Sequence, residues 1–552
     1  MCGYAGIIGK NKDDISKEIF SLLNHRGPDR RKYISDHDYS IWHTTLEVQS
    51  DFNSNIQPLE TNKSILAYNG ELFNKEVKNF NSDTDFLFYS LNKAKNLKKI
   101  LSSFLGYFSF IYFDKKLNKL FLARDIFGSR PLFYTINNKN VIFGSSIDSV
   151  IKLMDKKVNF DDDALVDFIE RGHFTDSNTF FKEIKSVKPG SFITINIKSL
   201  KVSTEKFNNY SNFKKYHKAD IYNSLKSSVR RSLTRKNIFF EPYLALSAGI
   251  DSNLIRAIAL REDLKLSYIT GYNVKQHLEK VSKTNYINIS INISSELKSS
   301  PEIPFSGNPS IFYFRKLAKF VKTKGSKILI SGTGADEFFG GYRRNIILKF
   351  PNLIKIIKFL LPKTYDQPKN LFNFSYKYKR ISSDYLDVIR HYKIKNSTNA
   401  KKSSWTYSKS INYEKNVYLT NELCSIADQG CMFEGVESRS PFLDQALVGD
   451  VIKNKWNKTF INISKINLRF LLLKLNKSLS SIFLPKRGMT VVLNFNREAI
   501  SKIFKYEKLI NSSTFSYAID YLKKIDKNEY PVFLLYRLLV ICHAFDQKNK
   551  LH

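Results

Sequence analysis

The run Pro242-Tyr243-Leu244-Ala245-Leu246-Ser247-Ala248-Gly249-Ile250-Asp251-Ser252 passes from a short apolar strand through small residues into the start of a helix. The same order returns at Leu266 to Thr270 and at Lys327 to Ile330, each a short buried strand followed by small residues and a helical pattern. Strand, small-residue loop and helix in repetition predict an α/β unit built on a parallel sheet. From Ile221 onward helical periodicity dominates, and the part after about Asn421 reads as mostly helical. The segment from Phe350 to Tyr413 is rich in lysine and carries little assignable pattern.

The first two hundred residues follow a different rule. Short apolar runs at Tyr39 to His43, Ser64 to Tyr68, Tyr107 to Phe113, Leu120 to Ala123, Val141 to Phe143 and Phe192 to Ile195 alternate with turn residues, which predicts a strand-rich first domain. A polar stretch from Lys201 to Asp220 separates the two patterns. We therefore expect one domain over residues 2–205 and a second over 206–552. No internal repeat is visible.

A chain of 552 residues is too long for one ordinary core. Its apolar content of 42% and charged content of 25% are those of a soluble globular protein. The apolar run Ile346 to Leu361 is broken by Lys349, Lys355 and Lys358, so no membrane span is expected. The start of the chain lacks a basic stretch leading into an apolar one, and the four scattered cysteines form no CxxC pair; both fit a cytoplasmic protein. Lysine and arginine number 88 against 51 acids, a net charge of +37. That excess invites nucleic acid, and a non-catalytic nucleic-acid-binding protein is the alternative of a different class. The lysines are nevertheless spread along the whole chain, so a nucleic-acid partner is not expected, although the positive field would attract ATP and pyrophosphate.

Cys2 stands where removal of Met1 would free its α-amine. That amine titrates near pH 8 and can take the thiol proton, so one residue would supply nucleophile and base. An acyl transfer also needs donors for an oxyanion, and Tyr68-Asn69-Gly70-Glu71 offers an amide side chain, an open backbone N–H and a carboxylate. Asp83 in Ser82-Asp83-Thr84-Asp85 is a second acid able to bind an α-ammonium group. With Asn24-His25-Arg26-Gly27-Pro28-Asp29 and the run Ala123 to Leu132, these motifs resemble the class II glutamine amidotransferase domain over about residues 2 to 195. The resemblance implies an αββα sandwich of the N-terminal nucleophile hydrolase kind. It also implies that Cys2 attacks the glutamine amide, Asn69 and Gly70 form the oxyanion hole, and Glu71 and Asp83 hold the α-amino group. One position departs from the pattern: the family has an arginine for the substrate carboxylate two residues after the histidine of this strand, and here His43-Thr44-Thr45-Leu46 has Thr45. A bidentate ionic pair is replaced by at most one neutral hydrogen bond, with Arg26 or Arg30 as candidates to compensate.

In the second part, the small-residue loop from Ser247 to Ser252 suits phosphate oxygens at a helix N-terminus, without the Gly-Lys-Ser/Thr of a Walker loop. It resembles the Ser-Gly-Gly-x-Asp-Ser loop of ATP pyrophosphatases, with Ala248 in place of one glycine. A second loop, Ser331-Gly332-Thr333-Gly334-Ala335-Asp336-Glu337, again follows a buried strand. Asp251 and Asp336 are hard oxygen ligands suited to Mg²⁺. Together with Gly435-Val436-Glu437-Ser438-Arg439-Ser440-Pro441-Phe442-Leu443-Asp444 and Lys465-Ile466-Asn467-Leu468-Arg469, these motifs make nearly the whole chain similar to the glutamine-dependent asparagine synthetase family.

The resemblance implies ATP at Leu246, Ser247, Gly249, Asp251, Ser252, Thr270, Ser331 and Gly332, with Lys465 carrying charge in the transition state. It implies conversion of aspartate, glutamine and ATP to asparagine, glutamate, AMP and pyrophosphate, in an enzyme that would form a homodimer. Thr333 stands where enzymes that make asparagine commonly have glutamate, and threonine is no carboxylate base. Amidation of another carboxylate, on a sugar or natural product, is therefore kept as a second expectation.

Overall fold

The computed structural model describes residues 2–10, 12–48, 56–137, 139–207, 220–233, 240–271, 284–342, 407–454, 456, 465–476, 492–495, 497–524 and 531–552. The apolar run Ile346 to Leu361, and the lysine-rich segment up to residue 406, lie outside the described residues.

Strands β1 (Cys2–Ile8), β2 (Arg30–Asp36), β3 (Tyr39–Thr45), β4 (Leu59–Glu60), β5 (Ser64–Leu72), β6 (Gly106–Asp114), β7 (Lys119–Arg124), β8 (Phe133–Asn137), β9 (Asn140–Gly144), β10 (Lys185–Ser186), β11 (Ser191–Asn196) and β12 (Val202–Lys206) make two antiparallel sheets. Their orders are β10-β8-β9-β1-β3-β2 and β12-β11-β7-β6-β5-β4. Alternation along each strand sends successive side chains to opposite faces. Tyr4 and Ile8 of β1 therefore join Ile41, Ala67, Ile111 and Leu122 between the sheets. Ala5 and Ile7 point the other way, onto Ile19, Leu23 and Val150 of the helices Ser16–Leu23 and Ile147–Leu153. Leu66 and Phe110 of the second sheet likewise pack on Phe86, Leu87 and Leu101 of Asp83–Lys93 and Leu97–Leu101. The layers are α-β-β-α, as expected.

The polar stretch from Lys201, expected as a separator, opens with β12, whose residues are all exposed. An edge strand with no buried face leaves no apolar alternation to read. Residues 208–219 of that stretch lie outside the described residues.

The second unit is built on β13 (Tyr243–Ala245), β14 (Ser267–Gly271) and β15 (Thr284–Ile287), with β16 (Ser290–Asn292) paired separately to Val492–Asn494. With β17 (Ile328–Ile330) and β18 (Glu437–Arg439) the sheet runs β15-β14-β13-β17-β18, every pair parallel. Leu244, Ile328 and Ile330 face the helix Ile250–Arg261 through Leu254 and Ile258. Tyr243, Ile269 and Leu329 face Ser310–Thr323 through Leu317 and Val321. Helices cover both faces, as a parallel sheet of short apolar strands requires. The rest is largely helical, ending in Val532–Leu551, and no helix among the described residues is long and apolar enough to cross a membrane.

The two units are joined by polar contacts as well as by core. The Tyr107 hydroxyl donates to the Ser440 carbonyl at 2.6 Å, and Gln445 exchanges two hydrogen bonds with the backbone of Gly106. Arg26 of the first unit donates from Nε to Glu302 and from Nη1 to Asp428 of the second, each at 3.0 Å and fully buried.

Candidate active sites

Cys2 lies at the start of β1, where the space between the two sheets opens into a cavity of about 110 Å³. Its lining includes Cys2, Thr45, Gly70, Glu71 and Asp83. The register explains the gathering: Cys2 is the cross-strand partner of Thr45, while Asn69, on the inward face of β5, accepts a hydrogen bond from the Cys2 backbone N at 3.0 Å. Because Asn69 Oδ1 takes that bond, its Nδ2 is turned the other way, and Nδ2 is a buried donor with no hydrogen-bond partner among the described residues. An orphaned buried amide donor costs stability unless something is meant to accept from it.

Gly70 supplies a second donor. Phe108, opposite it on β6, gives its N–H to Asp125 Oδ2 and takes the Asp125 N–H on its carbonyl. That makes Gly70 and Phe108 a non-hydrogen-bonded pair, so the Gly70 N–H points away from β6. A Cβ at Gly70 would lie 2.1 Å from the Tyr107 carbonyl oxygen, so only glycine lets the strands approach here.

The acids of the cavity are already held. Asp83 accepts from the Tyr68 hydroxyl at 3.0 Å and from the Leu72 N–H at 2.9 Å. Glu71 receives Arg439 Nη2, and Arg439 Nε reaches Glu437, another wall of the cavity. Burial pushes the Cys2 thiol pKa up, opposed by the nearby amino terminus and by the Leu46 backbone.

Arg26 does not line this cavity, contrary to the expectation that it touches glutamine. Its guanidinium is spent on Glu302 and Asp428, whose charges outweigh the burial that works against it and push its pKa up. The nearby Ala123 to Leu132 motif is a brace of the fold. Arg124 donates to the carbonyls of Gly128, Arg130 and Val187, and the Asp125 carboxylate caps three backbone N–H groups. The sequence motifs do not assign Arg439 to this site, whereas Arg30, a candidate to compensate for Thr45, lies in its wall. Arg30 enters its wall by being cross-strand to Thr45, a long-range register that no local window contains.

The second gathering lies at the carboxyl ends of β13, β14 and β17. Ser247 and Ser252 share a hydroxyl contact at 3.0 Å, and the Ser247 and Gly249 carbonyls both accept from Asn253 Nδ2. The helix that starts at Ile250 has Gly249 as its N-cap and no side-chain cap, so the positive end of its dipole faces this gathering. Leu246 is buried and its N–H pairs with the Ile269 carbonyl. Thr270 Oγ1 is buried without a hydrogen-bond partner among the described residues. Gly332 brings the two loops together, since a Cβ there would sit 2.9 Å from Asp251 Cβ. Ser331 binds Thr333 hydroxyl to hydroxyl at 2.9 Å.

Lys465 joins the loops. Its Nζ lies 2.6 Å from Asp251 Oδ2 and 2.8 Å from Asp336 Oδ1. Burial works against its charge, but the two carboxylates prevail and push its pKa up to about 12. Lys465 holds a left-handed backbone, φ 55°, uncommon for a residue with a Cβ, immediately before the helix Ile466–Asn476. Two carboxylates converging on one point suit Mg²⁺ held jointly with phosphate oxygens; no group of three or more metal-binding side chains occurs among the described residues.

Between the gatherings lies a small cavity of about 20 Å³ walled by Tyr107, Arg130, Thr333, Ser438 and Ser440. β18 links all three places: Glu437 lines the first cavity, Ser438 the small one, and the Arg439 carbonyl accepts the Ser331 N–H at 2.9 Å.

Two family models match the chain. The family model described as glutamine amidotransferase domain matches residues 1–208, and the one described as asparagine synthase matches 223–475. Asparagine synthetase [glutamine-hydrolyzing] 1 of Bacillus subtilis is 27% identical over 391 residues, covering 62% of this chain and 59% of its own. Asparagine synthetase [glutamine-hydrolyzing] 3 of the same organism is 26% identical over 357 residues, covering 60% and 54%. The matched part thus spans just over half the length of these relatives. Glutamine phosphoribosylpyrophosphate amidotransferase from B. subtilis is a structural match at TM-score 0.29 and 15% identity, covering 60% of this chain and 82% of its own. The fold stands on its own sheets rather than on that likeness.

Proposed function

We propose that the chain, whose first part matches a glutamine amidotransferase domain and whose second part matches an asparagine synthase domain, is a glutamine-hydrolysing, ATP-dependent amide synthetase of the glutamine-dependent asparagine synthetase family. The observation that carries this reading is the orphaned Asn69 Nδ2 beside Cys2.

With Met1 removed, the Cys2 amine takes the thiol proton and the thiolate attacks the glutamine amide carbon. Asn69 Nδ2 and the Gly70 N–H receive the oxyanion, where preorganised donors in a dry site are strongest. Ammonia leaves, and water then releases glutamate from the thioester. Glu71 and Asp83 bind the α-ammonium group, with Arg439 and Tyr68 keeping their carboxylates in place.

In the second domain the Ser247–Ser252 loop and the open helix N-terminus hold the ATP phosphates, and Thr270 Oγ1 offers its unmatched hydroxyl to the nucleotide. Asp251 and Asp336 would hold Mg²⁺, which would offset phosphate charge. Lys465, kept charged by the same acids, stabilises the transition state as the acceptor carboxylate attacks the α-phosphorus of ATP, expelling pyrophosphate and becoming an acyl-adenylate. Ammonia passing beside Ser438 attacks it and AMP leaves.

Aspartate is the leading acceptor. A second reading, amidation of a different carboxylate, is favoured by Thr333, whose hydroxyl is engaged with Ser331 at the wall of the small cavity. Incubation with ATP, Mg²⁺, ammonium chloride and aspartate decides between them: asparagine and AMP support the first, and AMP formed only with another acid supports the second. Folded protein that forms no AMP with any carboxylate contradicts both.

A further inference from the structure

A free α-amino acid brings a carboxylate into the first cavity, and Thr45 has no proton left to offer it. His43 Nε2 lies 3.1 Å from the Tyr68 carbonyl oxygen, which only accepts, so Nε2 carries the ring hydrogen. Burial lowers the His43 pKa to about 3, so the ring is neutral and Nδ1 is an acceptor. Thr45 Oγ1, 3.2 Å from that Nδ1, must therefore donate to it. What Thr45 shows the cavity is lone pairs, which repel a carboxylate.

The cavity wall holds four acids, Glu47, Glu71, Asp83 and Glu437, and among the described residues one cationic side chain, Arg30. The chain between Val48 and Ile56 contains no lysine or arginine to add another. Arg30 and Thr45 are directly paired across β2 and β3, and Thr45 and Cys2 across β3 and β1. Cross-strand partners project from the same face of a sheet. Cys2, Thr45 and Arg30 thus form one row, about 10 Å from end to end at the backbone, a span that a glutamine and an arginine side chain bridge together. In the structure the Arg30 Nε is held by the Glu47 carboxylate, both side chains being partly exposed at 25% and 30%.

Resting on the reading of this domain as a glutaminase, we propose that Arg30 receives the α-carboxylate of the amide donor, moving the guanidinium one strand over from position 45, and that Glu47 holds Arg30 until the substrate displaces it. Glu47 stands in for the substrate's carboxylate, so it competes with glutamine. The guanidinium is suited to the exchange because Nε and its two Nη groups can serve two carboxylates along different edges.

The test is steady-state glutaminase kinetics of the full chain with glutamine and with glutamine α-amide, which keeps the reacting amide but lacks the carboxylate. For R30Q we expect the glutamine KM to rise about 10- to 100-fold, the range for one charged hydrogen-bonded contact, with kcat changed little and the α-amide turned over as by wild type. E47Q should lower the glutamine KM, and R30Q/T45R should recover most of the loss by returning the guanidinium to the neighbouring strand. An R30Q variant with unchanged glutamine KM, or with equal losses on both substrates, overturns the assignment while leaving the glutaminase reading intact. Wild-type protein inactive on both substrates overturns that reading and this assignment with it.

Discussion

Glu71 and Arg439 close a buried ion pair across the two domains, Oε2 to Nη2 at 2.8 Å, so a residue of the first cavity takes its position from the second domain. Arg439 also donates to Glu437 and to the Ser232 carbonyl and is 1% exposed. Removing it takes the guanidinium away from two buried carboxylates, of which Glu437 keeps Arg130 at 3.5 Å. Arg439→Ala should lose about 3–5 kcal/mol of stability, read as a drop in the midpoint of urea unfolding. Arg439→Lys should be milder in stability yet still raise the glutamine KM, since an ammonium cannot serve Glu71 and Glu437 along two edges. Unchanged stability in the alanine variant would mean that the pair does not hold the domains together.

The Arg26–Glu302 pair sets an acid limit on the same interface. Burial pushes the Glu302 carboxyl up, but Arg26 and His25 prevail and bring its pKa down from 4.5 to about 2. A depressed carboxylate contributes its full stability above the unfolded pKa and loses it as protons bind, so this contribution should fade between pH 4.5 and about 2. His43, lowered from 6.5 to about 3 by burial, costs stability over a different window, as pH falls from 6.5. The difference in unfolding free energy between wild type and Glu302→Gln, followed with pH, isolates the first. It should be large at pH 6 and shrink below pH 4.5; a flat difference would contradict the coupling.

Lys465 offers a test confined to the second domain. Lys465→Ala should reduce AMP formation about 10²- to 10³-fold, the loss typical of one preorganised charge donor, with glutamine hydrolysis retained. Gly341→Ala should act through the same residue, because a Cβ there would lie 1.6 Å from Asp336 Oδ1 and 2.3 Å from Lys465 Cε. Both variants are to be assayed for AMP and for glutamate. Equal loss of both products would point to general unfolding instead.

Most of the layered fold was legible because alternation and short apolar runs are local signals. β3, β5, β6, β7, β9 and β11 each contain the run expected for them. β12 escaped because an exposed edge needs no apolar face. The local motifs also brought Cys2, Thr45, Gly70, Glu71 and Asp83 to one cavity wall, with Asn69 bonded to Cys2. Arg26 failed for the opposite reason. Its partners lie 276 and 402 positions away, so nothing near it in the chain says that its charge is already matched. Arg439 was hidden by the same physics, and no local signal decides between Arg26 and Arg30, since strand register and domain docking are long-range facts.

The most direct test of glutamine-driven amide synthesis is AMP formation by wild type and Cys2→Ala, each supplied with ATP, Mg²⁺ and aspartate, and with either glutamine or ammonium chloride. If another acid is the true acceptor, it replaces aspartate in every arm. Wild type should form AMP with both nitrogen sources, and Cys2→Ala with ammonium alone. Glutamine-driven AMP formation undiminished in Cys2→Ala would contradict the nucleophile, and its loss with both sources would contradict the division of the reaction between two sites.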